Sequence, residues 1–419
     1  MMRMMNAFTL LFILLVLLEA AIRAWLALRQ AGCVARHRAE VPAPFRDHIP
    51  LPAHQKAADY TIARMRLGLV DLAVGSLLLV AWTLGGGLEL LDRGWRALEL
   101  GPVATGTGFL LSGVLLMGLL ELPLAAWRTF GIEQRFGFNR TTPALFLADA
   151  LKSALLVILL GGPLAWLVMA IMHGAGTTWW LWVWGVWVVF NLFLAWAFPT
   201  FLAPLFNRFR PLEDEALRRR IEALLERCGF ASRGIFIMDG SRRSSHGNAY
   251  FTGLGRSKRV VFFDTLIECL EPAEVEAVLA HELGHFRRRH VLKRMLFSSL
   301  LSLAGLALLG WLTEQPGFYT GLGLTHPSPH AALMLFLLVA PLLGLAIQPL
   351  AAAVMRRHEF EADDFAARES GPEPLIRALV KLYRDNASTL TPDPLYSAFH
   401  DSHPPAPVRI AHLSSKILG

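Results

Sequence analysis

Two histidines four residues apart enclose a glutamate in the run HELGH: His281, Glu282 and His285. On a helix both imidazoles project from one face and can grip a single ion. Glu282 stands beside them, placed to take a proton from a water that the ion activates; zinc brings the pKa of such a water to about 7. The competing reading is an amphipathic helix with surface histidines, and Val275, Val278, Leu279 and Leu283 fit either case. Three fixed positions of this kind arise by chance in about one in fifty chains of this length, so HELGH needs a second observation.

That observation lies far downstream, in RRHEFEADDFA (356–366). A catalytic zinc of this type takes a third protein ligand, commonly a Glu on a separate helix. Glu359 and Asp363 are four apart and share one helical face. Glu359 is therefore expected to ligate one Zn2+ per chain together with His281 and His285. Asp363 is expected to accept the second N–H of a ligand histidine and orient its ring. An acidic stretch is ordinarily a solvated helix face; its coupling to HELGH reverses that preference. Glu361 and Asp364 point elsewhere, and His358 is a less favoured ligand.

Composition indicates what must hold these residues. Hydrophobic residues make up 54% of the 419 and charged residues only 17%, too apolar for an ordinary soluble domain. Seven segments have the length needed to cross a bilayer, near 7–28, 67–91, 103–127, 144–172, 178–203, 291–312 and 331–354. The first follows Arg3 like a signal peptide, but its apolar run continues through Ala20–Leu28 without a convincing cleavage site, so it reads as a retained span.

The net charge of +7 belongs to alternate loops. Segments 29–66, 128–143, 204–290 and the C-terminal tail are Arg-rich, whereas 173–177 and 313–330 contain no Lys or Arg. This is the positive-inside pattern. It predicts an outside N-terminus, with 204–290 and the C-terminus cytoplasmic (in the inner membrane, for a bacterial chain). The basic surplus is thus orientation, and no nucleic-acid partner is expected. Glu19, Arg23, Asp71, Glu121, Asp149 and Lys152 interrupt the spans. They pair between helices, sit near headgroups, or line a polar internal cavity. Cys33, Cys228 and Cys269 form no CxxC and no even framework, and read as reduced packing residues.

Region 204–290 breaks the apolar pattern. Leu217, Ile221, Leu224 and Leu225 repeat at helical spacing, closed by Gly229. GIFIMDG (234–240) is β-like. NAYFTG (248–253) and RVVFFD (259–264) flank the turn-rich Leu254–Lys258 as a hairpin, and Pro272 opens the helix that carries HELGH. The chain thus divides into a membrane region with five spans (1–203), a cytoplasmic α+β part (204–290), spans six and seven (291–354) and a C-terminal catalytic segment (355–419).

With these residues in place, the chain resembles the type I CAAX prenyl endopeptidases, the a-factor-converting membrane metalloproteases of the gluzincin type. The likeness rests on GIEQRFGFNRTT (131–142), FPTFLAPLFNRFRPL (198–212), GSRRSSHGNAYFTGLGRSKRVVFFDTL (240–266), AHELGH (280–285), RRHEFEADDFA (356–366) and LYSAFHDSHPP (395–405). Residues 1–120 match mainly in hydropathy. The resemblance implies a mainly α integral membrane fold, with seven helices enclosing a water-filled chamber and a small α+β metalloprotease unit at its cytoplasmic end. It implies that substrate pairs as an added strand along Asn248, Ala249 and Tyr250, a mode that holds a peptide extended by its backbone. It also implies that His403 stabilises the oxyanion; His400 is a nearby competitor. The run Arg287–Arg289 is a solvated helix end or a receiver of the substrate carboxylate.

The expected activity is zinc-dependent endoproteolysis near the C-terminus of prenylated CAAX-type substrates, in contact with membrane lipids. Arg outnumbers Lys 34 to 6, a bias that suggests a bacterial chain. That keeps a second reading open, cleavage of non-prenylated membrane-associated peptides in quality control. A non-enzymatic transporter or receptor would account for seven spans, but not for HELGH with Glu359 and Asp363.

Overall fold

The computed structural model describes residues 6–230, 234–252 and 259–417. In a bilayer every backbone N–H and C=O must be satisfied within its own segment, so apolar runs of this length become helices. Seven described helices are long and apolar enough to cross: Ala7–Arg36, Leu51–Trp82, Pro102–Glu133, Pro143–Gly174, Gly176–Phe206, His290–Leu312 and Pro329–Ser370. Their large apolar side chains point outward, among them Leu77, Leu151, Trp182 and Leu350. This chain is a multi-pass integral membrane protein.

The number of spans matches the sequence reading, but two boundaries move. The second span was expected at 67–91; the helix starts after Pro50 and ends at Trp82. Three glycines follow, and Gly86 adopts φ +84°, a conformation that costs little only without a Cβ. Gly87–Arg96 then forms a separate short helix. Hydropathy detects the lipid-facing part of a helix and misses its polar extension into water. The last helix also continues, unbroken, from Pro329 through position 354 to Ser370. The segment carrying Glu359 is therefore a rigid extension of a membrane span.

Three π-helical stretches, Trp127–Glu133, Val157–Gly161 and Phe198–Leu202, interrupt spans close to Pro123, Pro163 and Pro199. A proline removes an N–H and crowds the preceding turn, which the widened turns before Pro163 and around Pro199 relieve; Trp127–Glu133 follows Pro123 and is not explained this way.

The α+β unit contains a four-stranded sheet of β1 (Phe209–Pro211), β2 (Ile235–Met238), β3 (Ala249–Thr252) and β4 (Arg259–Phe263), in the order β1-β2-β4-β3. β2 and β4 are parallel; β3 pairs antiparallel with β4, Ala249 opposite Phe262. The expected strand pair thus forms, while its turn at 254–258 lies outside the described residues. β1, three residues long, was not anticipated. β3 is the last strand of the sheet, and one of its edges is unpaired among the described residues.

The unit's core joins Ile221 and Leu224 of the Glu215–Arg227 helix to Phe262, Leu266, Leu279 and Leu283. A separate apolar cluster, including Phe109, Met169, Leu309 and Leu335, packs the spans together.

Candidate metal centre

The helix Pro272–Arg287 is fixed at its start by a capping box: the Glu271 N–H donates to Glu274 Oε2 at 2.9 Å, and the Glu271 side chain accepts in return. Its contact with the Pro329–Ser370 helix depends on Gly284, the glycine of HELGH. A Cβ there would stand 2.9 Å from Ala362 Cα and 3.1 Å from Phe365 Cβ. Absence of a side chain lets the two backbones approach, and this close approach brings Glu359 to the histidines.

His281, His285 and Glu359 each present one ligand atom, all within 4.8 Å of one another. His281 Nε2 and His285 Nε2 are 3.2 Å apart. Glu359 Oε1 lies 3.2 Å from His285 Nε2, and Oε2 lies 3.4 Å from His281 Nε2. The donor set fits a divalent cation: two imidazole lone pairs and a carboxylate converge, and the buried Glu359 Oε2 has no hydrogen-bond partner. The site's electrostatics favour positive charge as well. Burial pulls the His281 ring down, but Asp363 and Glu359 more than offset it and raise its pKa to about 9. A cation bound by the imidazole would take the place of its proton.

Asp363 Oδ1 stands 2.8 Å from His281 Nδ1, on the side of the ring away from the ligand atoms. Arg409 holds the same carboxylate from behind. Its Nε donates to Oδ2 at 2.9 Å and its Nη2 to Oδ1 at 2.5 Å, while Nη1 lies 3.7 Å from Glu359 Oε2. Both members of this pair are buried. The sequence reading did not single out Arg409, and no local signal marks it: in APVRIAH it looks like the polar face of a terminal helix. Only its burial beside two carboxylates gives it a role.

Glu282, His281, Asn248, Ala249, His403 and Arg409 line one cleft of about 350 Å3. Burial raises the Glu282 carboxyl above its ordinary range, with His281 and His285 opposing. His403 Nε2 lies 3.3 Å from Glu359 Oε1. Its competitor His400 points elsewhere, with Nδ1 3.0 Å from Gln348 Nε2. Tyr250 does not line the cleft; its ring packs edge-on against Phe263 at 6.3 Å. His358 stacks on His290 at 3.9 Å and 11°, outside the ligand cluster.

Cavities with shared lining residues run from the cleft toward the spans. Tyr383, Asn386 and His403 also border a cavity of about 330 Å3 that reaches Tyr396 and His400. Those two residues border another of about 410 Å3 between helices, lined by Glu19, Arg23 and Asp71. Of the intramembrane charges, Glu19 and Arg23 pair at 2.7 Å, and Asp71 and Arg128 at 2.5 Å. Pairing and a polar cavity thus occur together. The three cysteines are free.

Comparison with known proteins agrees with this geometry. Residues 30–208 match the family described as CAAX prenyl protease N-terminal, five membrane helices, and residues 211–417 match peptidase family M48. CAAX prenyl protease 1 of Saccharomyces cerevisiae is 37% identical over 311 residues, covering 70% of this chain and 69% of that protein. The Homo sapiens homologue is 30% identical, covering 73% of each. The crystal structure of S. mikatae Ste24p superposes with a TM-score of 0.91 at 30% identity, over 97% of this chain and 99% of that one.

Proposed function

The chain belongs to the CAAX prenyl protease 1 family of M48 zinc metalloproteases, and from that premise we propose that it hydrolyses peptide bonds near the C-terminus of prenylated CAAX-type substrates on the cytoplasmic side of the membrane. The observation carrying this reading is the convergence of His281, His285 and Glu359 beside a cleft lined by His281, Glu282, His403 and, at the start of β3, Asn248 and Ala249, with one edge of β3 unpaired among the described residues. The curated relatives carry CAAX prenyl protease in their names, which supports the substrate class.

His281, His285 and Glu359 would hold the metal, with Asp363 orienting His281. The chemistry supplied by a zinc bound there is Lewis acidity, which acidifies water and polarises a carbonyl. The peptide lies extended along Asn248, Ala249 and Tyr250, hydrogen-bonded as an added strand to the edge of β3 that is unpaired among the described residues. Glu282 takes the proton of the attacking water and then delivers it to the leaving amine. His403 donates a hydrogen bond to the oxyanion. Placing the Arg-rich loops inside puts this cleft on the cytoplasmic face, with the N-terminus outside.

One experiment tests the scheme: zinc content and cleavage products of wild-type and Glu282→Gln protein, on matched farnesylated and unmodified peptides. Wild type should hold one zinc and prefer the farnesylated peptide. Glu282→Gln should keep the metal and lose activity by roughly a hundredfold or more. Full activity in Glu282→Gln would sink the mechanism. Equal cleavage of both peptides would sink the prenyl preference and favour membrane-protein quality control.

A further inference from the structure

His285 is held differently from His281. Where His281 Nδ1 meets a carboxylate, His285 Nδ1 lies 3.0 Å from another ring nitrogen, Nδ1 of His290. His290 is buried, and its Nε2 lies 3.1 Å from Glu361 Oε2. The backbone is bent to achieve this. Arg289, between the HELGH helix and the next span, adopts φ +56°, a left-handed conformation uncommon for a residue with a side chain. That reversal swings His290 back over the metal helix.

The protons in this chain of groups have only one consistent order. His285 faces the metal site through Nε2, so as a ligand its proton sits on Nδ1. His290 must then accept on its Nδ1, which puts its own proton on Nε2, facing Glu361. Each hydrogen bond fixes the tautomer of the next ring, and the series ends on a carboxylate. A carboxylate reached through a histidine pushes electron density toward the metal-binding nitrogen, as a directly bonded one does.

We propose that His290 and Glu361 are positioning residues for His285: they lock its tautomer and ring angle and thereby set how tightly the metal is retained. The proposal rests on the zinc site proposed above. The surrounding groups fit these roles. His358 stacks flat on His290 and limits its rotation, and Arg357 holds Glu361 Oε1 at 3.3 Å. Glu361, which the helical register alone places off the ligand face, thus reaches the site through a second ring.

Zinc affinity of the purified full-length protein, measured by competition with a chromophoric chelator, reads this directly and needs no substrate. His290→Leu removes both hydrogen bonds while filling the space, and should weaken zinc binding roughly 10- to 100-fold. His290→Asn keeps an acceptor for His285 but cannot reach Glu361, and should lose less. Glu361→Gln keeps an acceptor without the charge and should fall between wild type and Leu. His358→Leu removes only the stacking, leaves both hydrogen bonds in place, and should lose clearly less zinc affinity than His290→Leu.

Thermal melts of the metal-free proteins check folding. If His290→Leu fails to fold, His290→Asn and Glu361→Gln decide, and wild-type affinity in both overturns the proposal. Wild-type affinity in a folded His290→Leu protein overturns it too, as does a loss in His358→Leu equal to that in His290→Leu. A wild-type protein that binds no zinc would sink the metal reading itself, before any variant is compared.

Discussion

In the Pro143–Gly174 span, Leu147, Leu151, Leu159 and Trp166 face outward, whereas in the HELGH helix Val275, Leu279 and Leu283 are turned inward and fully covered. The difference is solvent: lipid accepts a leucine as readily as a protein core does, and water does not. Charges divide along the same line. Asp71 and Arg128 meet at 2.5 Å with both side chains still partly exposed, Asp71 beside the cavities between the spans. Asp363 and Arg409 meet at the same distance with 0% and 7% of their side chains exposed. Equal distances therefore carry different energies. Where the cavities beside Asp71 admit water, that pair loses little when broken, whereas a desolvated pair leaves an uncompensated charge.

Charge deletions test that contrast. The largest effect is expected from Arg409→Met, which strands Asp363 and should destabilise the protein by about 3–5 kcal/mol. It should lower zinc affinity as well, since the carboxylate 2.8 Å from His281 Nδ1 loses its brace; thermal melting and chelator competition measure the two. A wild-type melting temperature would mean that water reaches Asp363.

Glu274→Ala comes next. Glu274 is fully buried, accepts from Lys381 at 2.8 Å and caps the metal helix. Its loss should cost about 1–2 kcal/mol, read as a lower melting temperature with zinc stoichiometry retained.

The smallest effect is expected from Arg128→Gln, below about 1 kcal/mol in detergent or nanodisc melts. A loss of about 2.5–3.5 kcal/mol, the cost of an unpaired charge in lipid, would show that Asp71 is not hydrated and would erase the distinction between the two regions.

Much of the scaffold was legible in the chain. All seven spans stand out because lipid demands uninterrupted apolar length, and the strand pair β3–β4 because alternation and a turn-rich break are local signals. The second span was misplaced because its first turns, around His54, Lys56 and Asp59, are polar, and a hydropathy window does not see a helix that extends into water. HELGH and the Glu359/Asp363 pair were visible through helical spacing. Arg409 was not, since a lone Arg in a short terminal helix has no pattern. His290 was in plain view five residues after His285, yet its bearing on that ring depends on a left-handed turn at Arg289.

Residue types and spacing along each helix were thus enough to name a membrane metalloprotease and three ligands, because ligation by i and i+4 side chains is a property of one helix. Which carboxylate meets which imidazole was decided by the fold. Gly284 lets two helices touch, the last span continues as a rigid rod to Ser370, and the C-terminal helix returns to bury Arg409 against Asp363. These contacts join residues more than forty positions apart, and nothing local encodes them; only packing and the exclusion of water bring them together.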